Sequence, residues 1–182
     1  MSTSRFTTAI QVFEAFPSLY TDMVAKPLEE SPVAFATRTA ESATPEDSLS
    51  FCAYMLDRRK ATWWACQCVR RLGSPDTPEE DIALRTAEAW VRDPDEKLRL
   101  DALAIGMNGN HRLPAVWAAL AAGGSGGTMN QGDHPGPPVP DVLSARAARA
   151  AVLIALARVP ARERASRIPE MASAAIRLYQ TP

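Results

Sequence analysis

Thr77-Pro78-Glu79-Glu80-Asp81-Ile82-Ala83-Leu84-Arg85-Thr86-Ala87-Glu88-Ala89-Trp90-Val91-Arg92, followed at once by Asp93-Pro94-Asp95-Glu96 and a run to Ile105, decides the fold. A capping residue, proline at the first helical position and carboxylates in the first turn open a helix. Thr77 and Glu80 have the spacing of a capping box. The signal then repeats at Asp93-Pro94-Asp95-Glu96. The spacing predicts one helix to about Arg92, a second to about Ile105, and a turn over Gly106–Asn110.

The same punctuation extends in both directions. Toward the N-terminus, Thr44-Pro45-Glu46-Asp47 opens a helix over about 45–57, with Leu49, Cys52, Ala53 and Leu56 on one stripe. Another helix follows over about 60–72, closed by Gly73 after Arg70 and Arg71, whose cations suit the negative end of the helix dipole. Residues 1–44 are less regular: two or three helical turns within Thr7–Phe16, a short helix within Ser18–Ala25, and a segment opened by Pro32. Toward the C-terminus, Leu113-Pro114 opens an Ala-rich helix to Ala122. Ser144–Val159 forms a helix ended by Pro160, and Ile168-Pro169-Glu170 starts the last one, to about Gln180. Between them, residues 123–140 carry six Gly and four Pro in 18 positions, read as a flexible surface loop.

Composition agrees. Ala supplies 32 of 182 residues, and Val and Ile together only 16, so helix formers dominate over strand formers. The expected architecture is all-α: a single compact domain over 1–182 with about seven or eight mostly antiparallel helices. No apolar run reaches the length of a membrane span, and no secretory signal is evident. Three cysteines, an odd number, suggest buried thiols in a reducing compartment, and cytoplasm is the expected location.

A net charge of −1 gives no bulk case for nucleic acid or a membrane surface. The charge is unevenly spread. Residues 76–102 hold nine carboxylates against four cations, and 141–179 hold seven Arg against three carboxylates. Either these two faces attract each other across the fold, or they are docking faces for a protein partner.

Few residues are spaced for chemistry. Cys66 and Cys68, two apart on a helix, point in nearly opposite directions and cannot share a metal. Nothing brings a cysteine together with His111 or His134. The Gly123–Gly127 stretch lacks the Lys-Ser/Thr of a phosphate loop. No catalytic, cofactor or metal residue is assigned. The most unusual segment is Arg58–Leu72, RRKATWWACQCVRRL. Ala61, Ala65, Cys68 and Leu72 share a face flanked by Trp64 and Val69, while Trp63, Gln67 and Arg70 point the opposite way. Trp64 is therefore expected in the core. Trp63 either packs under another element or stands as a partly exposed aromatic of the kind that anchors protein interfaces.

The segment Asp47–Leu72 resembles the hallmark of an uncharacterised bacterial all-helical family, a domain of unknown function in which a helix ending Leu-Pro-x-Arg-Glu leads into a Trp-Trp-Ala-Cys helix. Leu56, Arg58 or Arg59, Trp63, Trp64, Ala65, Cys66 and Cys68 carry the match, while Asp57 stands for the proline and Lys60 for the acid. The likeness extends through Ala87–Pro94, the Ala-rich helix before the Gly-rich loop, and the helix after Pro140. The resemblance implies a helical unit found near type VI secretion components, with an accessory, adaptor or immunity role and no catalytic residues.

The resulting expectation is a non-catalytic module that binds another protein, a secretion component or an effector, with oligomeric state open. Its surface is expected to comprise Arg59, Trp63, Gln67 and Arg70, with Glu80, Glu88 and Asp95 from the acidic helices. The alternatives are an immunity protein whose acidic face covers a toxin's basic active site, and a small enzyme using a Cys or His near residues 106–112 or 123–140.

Overall fold

The computed structural model describes residues 5–129 and 136–182. Among them are ten helices: α1 (Ala9–Ala15), α2 (Leu19–Asp22), α3 (Pro32–Ala40), α4 (Glu46–Met55), α5 (Arg58–Arg71), α6 (Pro78–Arg92), α7 (Glu96–Asn108), α8 (Pro114–Gly123), α9 (Leu143–Arg158) and α10 (Ala161–Gln180). The all-α expectation holds, with more helices than the seven or eight predicted because the N-terminal segment contributes three. No described helix is long and apolar enough to cross a membrane.

The ends form as the cap residues dictate. Thr8, Ser31, Asp57, Thr77 and Asp95 each accept a hydrogen bond from a backbone N–H in the first turn of the helix they precede. Thr8 and Gln11 complete a capping box. At α6 the box forms only in half. Thr77 accepts from the Glu80 amide, but the Glu80 carboxylate turns inward and accepts from the Asp76 amide instead.

α8 is the centre of the fold. Its sequence, PAVWAALAAG, is apolar all round, and every residue except Trp117 is buried, as such a helix must be to leave water. It packs against α5, α6, α7 and α9. Small residues permit the closest of these contacts. A Cβ placed on Gly106 would sit 2.5 Å from the Leu120 Cα, and one on Gly123 would sit 2.3 Å from the Leu103 Cα. The expected turn at Gly106 is therefore helix: α7 continues to Asn108, and this glycine serves the antiparallel α7–α8 crossing.

A second difference lies in α10. Pro169 is not at its start but inside it, eight residues after Ala161. An interior proline removes one hydrogen bond and disfavours helix. Here Ile168, Met171, Ala172 and Ala175 are buried around it, and that packing offsets the cost.

The Gly/Pro-rich stretch has ordered feet. Met129 N–H donates to the Pro137 carbonyl and Val139 N–H to that of Gly127, around an isolated bridge between Thr128 and Pro138. Two arginines hold the near side. Arg99, almost fully buried, donates to the carbonyls of Gly123 and Thr128 while pairing with Glu96. Arg58 donates to the Ser125 carbonyl and to Asp141. The hydrogen bonds from Arg99 hold the Glu96 carboxyl below its usual range. The middle of the 123–140 stretch expected as a flexible loop, with His134, lies outside the described residues.

Candidate functional site

α5 begins at Asp57, whose carboxylate accepts the Lys60 amide at 2.9 Å. From that start the helical period sends Ala61, Trp64, Ala65, Cys68 and Val69 into the core. The Trp64 indole N–H donates to the Met171 carbonyl at 3.0 Å, which fixes α5 against α10. One residue earlier, Trp63 is only partly buried. It is the ridge between two grooves.

The first groove runs between α5 and α10, a cavity of about 210 Å³ lined by Trp63, Gln67 and Arg71 on one side and Ala174, Arg177 and Leu178 on the other, with Cys68 and Met171 also contributing. The second is a more open depression of about 470 Å³, lined by Arg59, Lys60, Trp63, Val91 and Arg92. Arg59 is held there by the end of α6, donating to the Val91 carbonyl at 2.7 Å and to the Arg92 carbonyl at 3.1 Å. Those carbonyls lack helical partners, so a guanidinium satisfies them and suits the dipole. Lys60 donates to the Thr181 carbonyl.

Five cations line the two grooves, and no carboxylate does. Arg71 pairs with Glu170 and Lys60 lies 3.8 Å from Asp57. Arg59, Arg92 and Arg177 meet no carboxylate among the described residues. The Trp63 indole N–H and the Gln67 amide likewise have no hydrogen-bond partner there. Both are groups that water or another molecule satisfies.

The other expected surface residues are placed differently. Glu80 is fully buried, and its carboxylate accepts from Arg158 at 2.7 Å, the Asp76 amide at 2.9 Å and the Ser74 hydroxyl at 3.2 Å. Glu88 is buried beneath a two-pronged contact from Arg70, at 2.6 and 2.8 Å. The expectation that these carboxylates form an exposed acidic face is therefore corrected. Each is paired with an arginine that reaches in from the surface, because a buried charge is tolerated only when paired. Arg70 is exposed, but its guanidinium is committed to joining α5 to α6. Asp95 is exposed and caps α7 through the Leu98 amide. Three arginines of the Arg-rich C-terminal third are likewise engaged by the fold. Arg149 donates to Asp22 and Ser50, Arg158 to Glu80, and Arg164 to the carbonyls that end α9.

Of the groups considered for chemistry, the three cysteines and His111 lie among the described residues. Cys52, Cys66 and Cys68 are buried, and burial pushes every one of their thiols up, that of Cys52 to about 12. His111 is hydrogen-bonded through Nε2 to the Gly106 carbonyl at 2.8 Å and packs on Trp117.

Of the residues expected at the surface, Arg59, Trp63 and Gln67 line these grooves; Lys60, Arg71, Arg92 and Arg177 line them too and were not among those expected. Lys60 and Arg71 were legible as neighbours of Trp63 on one helix. Arg92 and Arg177 reach the site only because α6 and α10 flank α5.

The fold and this face define a helical domain with one aromatic ridge set in a cationic, apolar surface. Residues 35–179 match the family of unknown function DUF6931, and the chain belongs to that family. No curated protein and no solved structure matches the chain.

Proposed function

We propose that this protein is a non-catalytic binding module that recognises another protein through the Trp63 face. One observation carries the reading: Trp63 stands partly exposed between two cation-lined grooves, where Arg59, Arg92 and Arg177 meet no carboxylate and the Trp63 N–H and Gln67 amide have no partner among the described residues. Interface hot spots favour Trp and Arg in such settings. The linings offer no carboxylate, imidazole or reactive thiol for catalysis, since Cys68 lies beneath the groove with its thiol pushed up by burial. Of the two binding roles, an adaptor draws on this face. The immunity role drew on the acidic 76–101 helices, of whose carboxylates Glu80 and Glu88 are turned inward while Asp95 stays exposed. An accessory place beside type VI secretion components belongs to this proposal on the strength of the resemblance alone.

The test is crosslinking in the native cell extract with wild type, Trp63→Ala and Ile82→Ala, the last an exposed apolar position on α6. A stoichiometric partner kept by Ile82→Ala and lost by Trp63→Ala supports the reading. Equal capture by all three, or none by any, overturns it.

A further inference from the structure

The partner's chemistry follows from the rims of the two grooves, and this step rests on the protein-binding reading above. We propose that the grooves flanking Trp63 bind an acidic segment of a partner protein, with an apolar side chain of that segment seated between α5 and α10.

The groove floor selects for an apolar anchor. Trp63, Ala174 and Leu178 form its walls, with Met171 buried at its base. Its volume, about 210 Å³, is below the roughly 300–1,000 Å³ typical of small-molecule sites. It matches an inserted side chain rather than a whole cofactor. On α5 the groove spans residues 63–71, about 12 Å of helix at 1.5 Å per residue. That is the length of two turns of a helical ligand or of a few extended residues.

The rim selects for negative charge. Arg59, Lys60 and Arg92 border one side of the Trp63 ridge, and Arg71 and Arg177 the other. Charges of one sign around a low-dielectric cleft attract and orient the opposite sign. Carboxylates of an incoming segment would find Arg92 and Arg177 without a competing internal carboxylate. The Trp63 N–H and the Gln67 amide remain for backbone carbonyls. A nucleic acid is the weaker fit. Its binding energy comes from tracking phosphates with many cations, whereas here the cations surround an apolar slot in a chain of net charge −1.

The experiment is selection from a random displayed library of peptides about 12 residues long on the immobilised full chain. Enriched peptides are then measured by fluorescence anisotropy against wild type, Trp63→Ala, Trp63→Phe and the pair Arg92→Glu/Arg177→Glu. Helicity and thermal midpoint are checked for each variant. The expected result is enrichment of Asp/Glu-rich sequences carrying an aromatic or aliphatic anchor. Their affinity should fall at least about tenfold in Trp63→Ala and in the charge-reversed pair, less in Trp63→Phe, and about tenfold between 50 and 500 mM salt, as rim charges are screened. Neutral or basic peptides lost in Trp63→Ala overturn the acidic partner but leave the binding face. No enrichment, or binding indifferent to Trp63→Ala, overturns both. A single-stranded oligonucleotide that binds wild type and is lost in the charge-reversed pair replaces the acidic segment with nucleic acid. A dimer in sedimentation that the same pair dissolves makes the occupant a second copy of this chain and overturns the proposal.

Discussion

Arg158 near the end of α9 places a guanidinium nitrogen 2.7 Å from the carboxylate of Glu80, a residue with no exposed surface. The two stretches of opposite charge in the sequence meet at this contact. Removing one partner of a buried pair leaves the other charge uncompensated, which typically costs 3–5 kcal/mol. Arg158 is itself one-third exposed, and Glu80 keeps the Ser74 hydroxyl and Asp76 amide. Arg158→Met should therefore cost about 3 kcal/mol. Adding Glu80→Gln to that variant should recover part of the loss, since the orphaned charge is gone. Urea unfolding of the single and double variants gives both values. A loss under about 1 kcal/mol in Arg158→Met would mean that water, not Arg158, compensates Glu80.

The three thiols give a prediction with a defined direction in pH. Burial favours the neutral form of each, with Cys52 moved from an ordinary 9.0 to about 12. A neutral thiol is a poor nucleophile. The native protein should therefore leave a thiol reagent at pH 7.5 unreacted, while the denatured chain consumes three equivalents. The unfolded chain loses thiol protons near 9, but the folded chain holds that of Cys52 to about 12. Stability is thus full below 9 and declines as pH rises through that window. Each such thiol contributes about 1.4 kcal/mol per pH unit. In Cys52→Ala the decline between pH 9 and 11 should be flatter by one thiol's share. An unchanged slope would show that Cys52 is not protonated in the fold.

α6 could be read from its own residues because its signals are local: Thr77 caps it, Pro78 starts it and its buried positions recur with the helical period. α10 could not. Pro169 looks like a helix start, and only packing of Ile168, Met171 and Ala172 explains why the chain is helical on both sides of it. The site divides along the same line. Trp63 and Gln67 share the outward face of one helix, so periodicity places them. Their groove exists because Trp64 bonds to Met171, 107 residues away, and no local pattern records that distance. Glu80 and Glu88 were misplaced for the same reason. Carboxylates on an amphipathic helix look solvated until Arg158, 78 residues further on, and Arg70, 18 residues back, are known to reach them.

Gly106 is a position where two physical effects on one substitution oppose each other. It lies inside α7, where replacing Gly with Ala ordinarily stabilises by about 1 kcal/mol. The new methyl, however, would sit 2.5 Å from the Leu120 Cα and 2.7 Å from its backbone nitrogen. These are main-chain atoms of the central helix, not the end of a side chain that can swing away. α7 and α8 would have to separate, and overpacking of this kind costs about 1–3 kcal/mol or more. Against main-chain atoms the clash should fall at the upper end of that range and win, so that Gly106→Ala destabilises by about 1–2 kcal/mol net. Ala104→Gly is the control. Ala104 is exposed on the same helix, so it should report propensity alone and cost about 1 kcal/mol. Thermal melts of both variants decide the matter. A Gly106→Ala protein as stable as wild type would mean that the α7–α8 crossing has room for a methyl group, and that the glycine is not what brings the two helices together.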